Sequence, residues 1–272
     1  MSSIFNLKRA GKYFLHDLDQ IRNNGLMNIL VIGLMPVIFF VFYNIFSVLK
    51  GLGLSRMDDG MQVFAIMLSV LMLVVIFPIK HYGLLTDKRY GSDWLMLPAS
   101  TFEKWLSVIL VNCVVVPAVF AVLFLGSDAL FAAIFPKVYP SAILSRDFFD
   151  FLDGLRNGLT DDIGVKFNVA GILYINWCEN ILVFTLGAII FKKAKFPKTL
   201  LCVMGISMLL SVILVAVCGS THIDVEQIQS WFSDKTPEEL GRAFNNMMTV
   251  IYAVLLLLLC GGLYLRLKTL KH

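Results

Sequence analysis

The residue patterns that mark common catalytic centres do not occur in this sequence. It contains no G-x-S-x-G nucleophile motif, no H-E-x-x-H zinc motif and no G-x-x-x-x-G-K-[ST] phosphate-binding loop. The four histidines are His16, His81, His222 and His272. Because they are scattered along the chain, we predict no metal site. We also predict no cofactor and no enzymatic activity of the chain itself.

The cysteines point in the same direction. They are Cys113, Cys178, Cys202, Cys218 and Cys260, and all lie in or at the end of apolar runs, without a C-x-x-C pair. We therefore predict free cysteines that pack as small hydrophobic residues, with no disulfide and no zinc site.

One ionisable residue, Glu179, lies near the middle of the apolar run 169–191. A charged group at the centre of a bilayer costs about 2.5–3.5 kcal/mol on insertion scales, and such groups usually face other helices or a wet cavity. We take Glu179 as a candidate transport-path residue. The alternative is a structural carboxyl group, either protonated or hydrogen-bonded, for example to Asn112, Asn176 or Asn180.

The most patterned polar stretch is residues 87–104, D-K-R-Y-G-S-D-W-L-M-L-P-A-S-T-F-E-K, which lies between two long apolar runs. Ser92 is suited to cap a short helix, and Pro98 cannot continue such a helix without the loss of a hydrogen bond. Ser100 followed by Glu103 forms a capping box, which predicts that a new helix begins there.

This stretch combines an apolar centre with a charged rim, a composition typical of a protein interface. The rim consists of Lys88, Arg89, Asp93, Glu103 and Lys104. The predicted docking surface is a short cytoplasmic helix made of Ser92, Asp93, Trp94, Leu95, Met96 and Leu97. We expect the apolar side chains of this helix to be exposed, so that a cytoplasmic partner can bind them. The alternatives are that these side chains lie against the inner ends of the spans or enter the lipid headgroup layer.

The composition predicts the elements that position these residues. Of the 272 residues, 58% are hydrophobic and 15% are charged, against about 45–50% and roughly 25% in soluble domains. The excess lies in six runs of about 20 residues, each long enough to cross a ~30 Å hydrocarbon layer. The predicted spans are 29–49, 61–79, 105–126, 169–191, 199–218 and 246–265. The chain is thus predicted to be an all-α integral membrane protein with a single transmembrane domain, 1–272.

Residues 1–28 are predicted to form an amphipathic helix on the membrane surface. Over residues 3–22, one helical face carries Ile4, Leu7, Phe14, Leu18 and Ile21, and the charged residues lie largely off it. The alternative is a disordered basic tail. With both termini in the cytoplasm, the inner segments carry 15 Lys and Arg against 8 in the outer segments, and this bias favours that orientation.

Local signals also predict irregularities and outer helices. Pro36 and Pro117 lie inside spans one and three, where membrane helices tolerate proline, and we expect them to kink those helices. The outer segment 127–168 is rich in Asp. In the outer segment 219–245, Thr236 and Glu239 form a capping box, and we predict two short helices at the outer membrane face.

This arrangement resembles the ABC transporter permeases of type-2 export systems. The resemblance in topology covers nearly the whole chain. The resemblance in motif covers residues 80–110: a basic, Gly-containing segment (87–91), a Leu-rich stretch ending in L-P-x-S (94–100), and then Glu103 and the third span. It implies a bacterial inner-membrane location, a separate ABC ATPase subunit docked on residues 92–97, and pairing with a second permease subunit. Movement of the docked loop would tilt the spans and switch access across the membrane.

Membrane lipids are further expected partners, and no nucleic acid is expected to bind. Two alternatives remain open. An ion-coupled carrier or channel would use Glu179, and would be expected to carry several ionisable residues inside its spans. A non-transporting scaffold or sensor subunit would use the Asp-rich outer segment 127–168 as its working part.

Overall fold

The computed structural model describes residues 5–86, 91, 94, 96–139, 142–143, 145, 169–220 and 236–270. The regular elements of these residues are all helical. The α-helices are α1 (Leu7–Asn24), α2 (Leu26–Gly33), α3 (Met35–Leu49), α4 (Asp59–His81), α5 (Thr101–Leu110), α6 (Val116–Ile134), α7 (Val169–Ile190), α8 (Lys195–Ser220) and α9 (Pro237–Thr269). A 3-10 helix (Tyr82–Thr86) follows α4, and a π-helical segment (Val111–Val115) joins α5 to α6. The predicted all-α class is confirmed.

Four helical stretches of the described chain are long and apolar enough to cross a membrane: Gly60–Thr86, Thr101–Ile134, Lys195–Ile213 and Asn245–Thr269. Helices α2 and α3 make a fifth span if the bent pair is counted as one. Helix α7 covers the predicted fourth span, and its portion Tyr174–Ile190 is apolar. The protein therefore has several helices suited to a membrane, four or five among the described residues where six are predicted.

Helices α2 and α3, which cover the predicted first span, are bent by 49° relative to each other. Pro36 lies in the first turn of α3, where a residue without a backbone N–H is well tolerated. Gly33 ends α2 at a close contact with α6, because a Cβ atom at this position would lie 2.8 Å from Leu123 Cβ. The kink predicted from Pro36 is confirmed at this point.

Pro117 produces a different irregularity in the third span. Its missing N–H leaves backbone carbonyl groups of the preceding turn without their helical donor, and the Val116 amide donates to the Val111 carbonyl in the π pattern. The Cys113 carbonyl accepts instead from Tyr174 Oη at 2.7 Å. Side chains of α7 therefore supply the donors that the proline removes.

Helix α7 lies at the centre of the bundle and packs against α4, α8, α9, the 3-10 helix and the π segment. Ile181, Leu182 and Ile189 on this helix are fully buried. The contact with α8 is very close, because a Cβ atom on Gly187 would lie 2.1 Å from Thr199 Oγ1. This glycine sets how closely α8 approaches the bundle.

The opposite end of the bundle carries a buried carboxylate, Asp128 of α6. It accepts from Gln62 Nε2, from Tyr139 Oη and from the Ile143 amide, each at 2.7 Å. Because these bonds satisfy the carboxylate, Asp128 joins α6 to α4 and to the chain that follows α6.

The prediction for residues 219–245 is wrong in part. The Thr236–Glu239 capping box is present, but the helix that it begins continues without a break through the last span as α9. The hydrophobic stretch after residue 245 extends the helix because nothing in the intervening sequence stops it. The first of the two predicted outer helices, and the acidic residues 147–162, lie outside the described residues.

Candidate functional site

Helix α1 is docked on the rest of the protein and is not a disordered tail. Asn6 caps it, and its side chain accepts from the Lys8 amide. Tyr13 and Ile21 of α1 are buried, and the helix packs against α5. Leu7, predicted on the membrane-facing side of this helix, is 76% exposed. The helix thus packs on the protein and leaves Leu7 and Leu15 exposed.

An ion pair joins the beginning of α1 to the beginning of α5. The Glu103 carboxylate accepts from Arg9 Nε at 2.8 Å and from Arg9 Nη2 at 2.7 Å, a bidentate arrangement. It also accepts from the backbone amides of Asn6 and Ser100, at 3.0 and 2.8 Å. The hydrogen bond that Arg9 donates to Glu103 raises the pKa of Arg9, which therefore stays charged. Four donors on two different elements thus converge on one carboxylate.

Glu103 corrects one prediction and confirms another. The Ser100–Glu103 capping box is present, so α5 begins where the sequence predicts. However, Glu103 is buried and does not belong to an exposed rim. The reason is that Arg9 and Asn6, about one hundred residues earlier in the chain, supply the donors that a buried carboxylate requires.

Trp94 is also turned towards the protein. Its indole Nε1 donates to Tyr13 Oη at 2.7 Å, and its backbone carbonyl accepts from Lys104 Nζ at 2.7 Å. The Lys104 ammonium lies 4.3 Å from the centre of the Trp94 ring, in a cation–π contact. Burial, and then the Asp17 carboxylate, raise the pKa of Tyr13, so its phenol stays neutral.

The expected exposure of Trp94 and the expected position of Lys104 on a rim are therefore wrong. Trp94 is only 7% exposed and Lys104 is buried beside it. Tyr13 provides a polar partner for the indole N–H, and the Trp94 carbonyl and ring provide partners for the ammonium group. These contacts satisfy the polar groups while the apolar surface of the indole is removed from water.

A third contact connects α1 to α4 and α5. Ser107 Oγ donates to Asp17 Oδ2 at 2.7 Å, and His81 Nε2 lies 3.5 Å from Asp17 Oδ1. His81 stacks on Phe77, with ring centres 5.5 Å apart. Asp17, His81 and Ser107 are all buried. This polar contact therefore lies inside the bundle, where it holds α1 in position.

We call these residues together the α1 clamp: Arg9, Tyr13, Asp17, His81, Trp94, Glu103, Lys104 and Ser107. Sequence analysis did not identify Tyr13, Asp17 and Ser107 as part of a site. A signal was available for the first two, because Tyr13, Asp17 and Ile21 are spaced by four residues and so share one helical face.

The remaining residues of the predicted docking surface are described only in part. Gly91, Trp94 and Met96 are helical, in agreement with a short helix at this place. Met96 is 77% exposed, and Leu97 is half-buried. The other predicted residues lie outside the described part of the chain: Ser92, Asp93, Leu95, and the rim residues Lys88 and Arg89.

Glu179 lies on α7 and is partly buried. Asn180 Nδ2 donates to the backbone and side-chain oxygens of Asn176, at 2.8 and 2.9 Å. Asn112 Nδ2 donates to the Val108 carbonyl at 3.0 Å. Within the described residues, none of the three expected asparagine partners bonds to Glu179, and the predicted transport-path role remains a prediction.

Cys113, Cys178, Cys202 and Cys260 are free, as predicted. In the described part of the chain, no three His, Cys, Asp or Glu side chains are grouped as a metal ion would require. Comparisons with models of known protein families, with curated proteins and with solved structures give no match to this chain. The geometry of the site and the sequence motifs are therefore the basis on which a function is proposed.

Proposed function

We propose that the chain is the membrane-spanning permease subunit of an ATP-driven ABC export system, with ATP hydrolysis carried out by a separate subunit. The observation that carries the proposal is the α1 clamp. It ties the segment at Trp94 to α1 and α5 through hydrogen bonds and an ion pair. A force applied to this segment from outside would therefore reach the third span and the surface helix together.

The clamp gives the predicted docking residues two different roles. Trp94 holds the segment on the spans, because its ring and its two hydrogen-bond partners, Tyr13 and Lys104, lie inside the protein. Met96 is the described side chain of this segment that a partner is able to reach. We propose that the ATPase contacts Met96 and its neighbours, while Trp94 transmits the movement.

The topology belongs to the same proposal. We propose six spans, with α2 and α3 forming the first and α7 the fourth, and with both termini in the cytoplasm of a bacterial inner membrane. The 15-to-8 distribution of Lys and Arg supports this orientation. A membrane-impermeant thiol reagent applied to sealed cells should fail to label Lys193→Cys, which is an exposed position. Rapid labelling would mean that the orientation is the opposite of the proposed one. We further propose that two permease subunits pair, as the resemblance implies.

A matched pair of variants tests the docking of an ATPase. Met96→Asp places a charge on the proposed contact, and Leu52→Asp places the same charge on an equally exposed apolar residue (72%) at the opposite end of the bundle. The tagged chain is purified from its native membranes, and the ATP hydrolysis that co-purifies with it is measured. A well-buried interface side chain contributes about 2 kcal/mol, roughly thirtyfold in affinity.

We expect Met96→Asp to lose the co-purifying ATP hydrolysis and Leu52→Asp to retain it. If no ATP-hydrolysing subunit accompanies the unmodified chain, the proposed function is wrong. If both variants retain the activity, the function stands but the docking site lies elsewhere. Glu179→Gln, tested in the same purified complex, should reduce transport with unchanged yield if Glu179 lines the path.

A further inference from the structure

The turn between α7 and α8 concentrates positive charge. Four of the seven residues from Lys192 to Lys198 are lysines, and the sequence contains no Asp or Glu between residues 180 and 223. Arg266 of α9 adds a further cation at this turn, because its guanidinium group donates to the Ile189 carbonyl at 3.3 Å. The turn is therefore strongly positive, with no acidic neighbour in its own sequence.

The fold separates the four lysines into two groups. Ala194 adopts a left-handed backbone conformation, with φ of 52°, and turns the chain between Lys193 and Lys195. Lys195 points inward and donates to the Gly83 carbonyl, in the 3-10 helix that follows α4. The other three, Lys192, Lys193 and Lys198, are exposed.

The exposed lysines lie on the same turn. Lys198 Nζ lies 6.0 Å from the centre of the Phe191 ring, and Phe191 directly precedes Lys192 and Lys193. None of the three ammonium groups has an ion-pair partner among the described residues. Three exposed cations within one seven-residue turn favour an anion in solution or at a surface.

The surface next to this turn is apolar and uncovered. After Thr199, which is buried against Gly187, every side chain of α8 that the structure describes is exposed, as far as residue 216. Leu201 is 67% exposed, and Phe196 and Met204 are exposed as well. A positively charged turn next to a helix with exposed apolar side chains fits a molecule that has an anionic headgroup and long hydrocarbon chains. A soluble acidic protein would match the charge but would leave the apolar surface without a partner.

We infer that Lys192, Lys193 and Lys198 bind the phosphate of an anionic phospholipid whose acyl chains lie along the exposed side of α8. The inference requires that α8 lies in a bilayer, but it does not depend on an ATPase partner. Because Lys195 ties the same turn to Gly83, a bound lipid would stiffen the chain just before the docking segment.

The test measures lipid preference on the purified full chain. Native mass spectrometry gives the ratio of bound phosphatidylglycerol to bound phosphatidylcholine of the same acyl composition. The variant replaces Lys192, Lys193 and Lys198 by Gln. The control replaces Lys50, Arg56 and Lys137 by Gln, which removes the same charge at the other end of the bundle, where all three are exposed.

Each lysine close to an anionic membrane surface contributes a factor of about five in binding, so the triple variant should lose roughly a hundredfold in preference. The control should retain the preference of the unmodified chain. If the triple variant keeps that preference, or if both variants lose it equally, the inference is overturned. Loss of a co-purifying acidic protein with unchanged lipid preference would also overturn it, in favour of a protein partner.

Two further arms cover the remaining outcomes. Soluble glycerol 3-phosphate should not be retained under the same conditions, and its retention as firmly as the lipid would show that the acyl chains contribute nothing. If the triple Gln variant does not fold, the single variant Lys198→Gln should lose about fivefold in preference. A triple Arg variant should keep the preference, and its loss there would count against recognition by charge.

Discussion

The hydrogen bond between Trp94 and Tyr13 provides a direct test of the α1 clamp. Trp94 Nε1 and Tyr13 Oη are 2.7 Å apart, and both side chains are buried. Tyr13→Phe keeps the ring but removes the acceptor, so that the indole N–H is left without a partner away from water. An unsatisfied buried donor costs about 1–3 kcal/mol. We expect this cost to appear locally, as easier separation of the segment at Trp94 from α1.

Hydrogen exchange followed by mass spectrometry measures this local opening in the purified protein. A loss of about 1–3 kcal/mol should accelerate exchange roughly 5- to 150-fold in peptides that cover α1 and the beginning of α5. Peptides from α7 and α9 should exchange at unchanged rates. The control is Tyr252→Phe, the same chemical change at a partly buried tyrosine without a hydrogen bond among the described residues.

A double-mutant cycle with Trp94→Phe separates the hydrogen bond from the lost ring volume. The sum of the free-energy losses of the two single variants should exceed the loss of the double variant by about 1 kcal/mol, which is the usual net contribution of such a hydrogen bond. If the effects of the two substitutions simply add, the two residues are not coupled. If Tyr13→Phe leaves exchange in α1 unchanged, the clamp does not hold the segment.

Three further substitutions test neighbouring parts of the argument. Glu103→Gln replaces one acceptor oxygen by an NH2 group that faces donors, so the beginning of α1 should open more easily. Trypsin cleavage after Lys8 and Lys12 should then become at least about tenfold faster in mild detergent. Cleavage at the unmodified rate would contradict the clamp. Gly187→Ala should destabilise the protein by about 1–3 kcal/mol or more, because the new Cβ would lie 2.1 Å from Thr199 Oγ1. The melting temperature should fall, and Thr199→Gly in the same chain should restore part of it. Tyr174→Phe frees the Cys113 carbonyl and should cost only about 0.6 kcal/mol, at most about 1.7, so a larger loss in denaturant titration would mean that the π segment depends on this bond.

Much of the architecture was predictable, because it depends on properties that are local in the chain. The membrane class follows from composition, since apolar runs of about 20 residues suit a bilayer whatever their neighbours are. The capping boxes at Ser100 and Thr236 depend on residues three positions apart, and both are present. Pro36 lies in the first turn of a new helix and Pro117 follows a π-helical segment, because a missing N–H is a property of the residue itself.

The tertiary structure alone decided which polar residues face the protein. The sequence predicts Glu103 and Lys104 as surface charges and Trp94 as an exposed side chain. In the structure they are buried by contacts with Arg9, Tyr13 and one another. Burial of a charge depends on donors and acceptors that converge from distant parts of the chain, here 94 residues apart for Arg9 and Glu103. No local pattern reports such a convergence.

The same reason explains the turn at Lys192. The sequence alone determined that this turn is positive and that two apolar helices flank it. Only the fold decided that Lys195 points to Gly83 while three lysines stay outside, and that α8 beyond Thr199 is left bare. Charge is a sum over residues and can be read from the sequence. The orientation of each charged side chain depends on how α7, α8 and the 3-10 helix pack against one another, and only the three-dimensional structure specifies that packing.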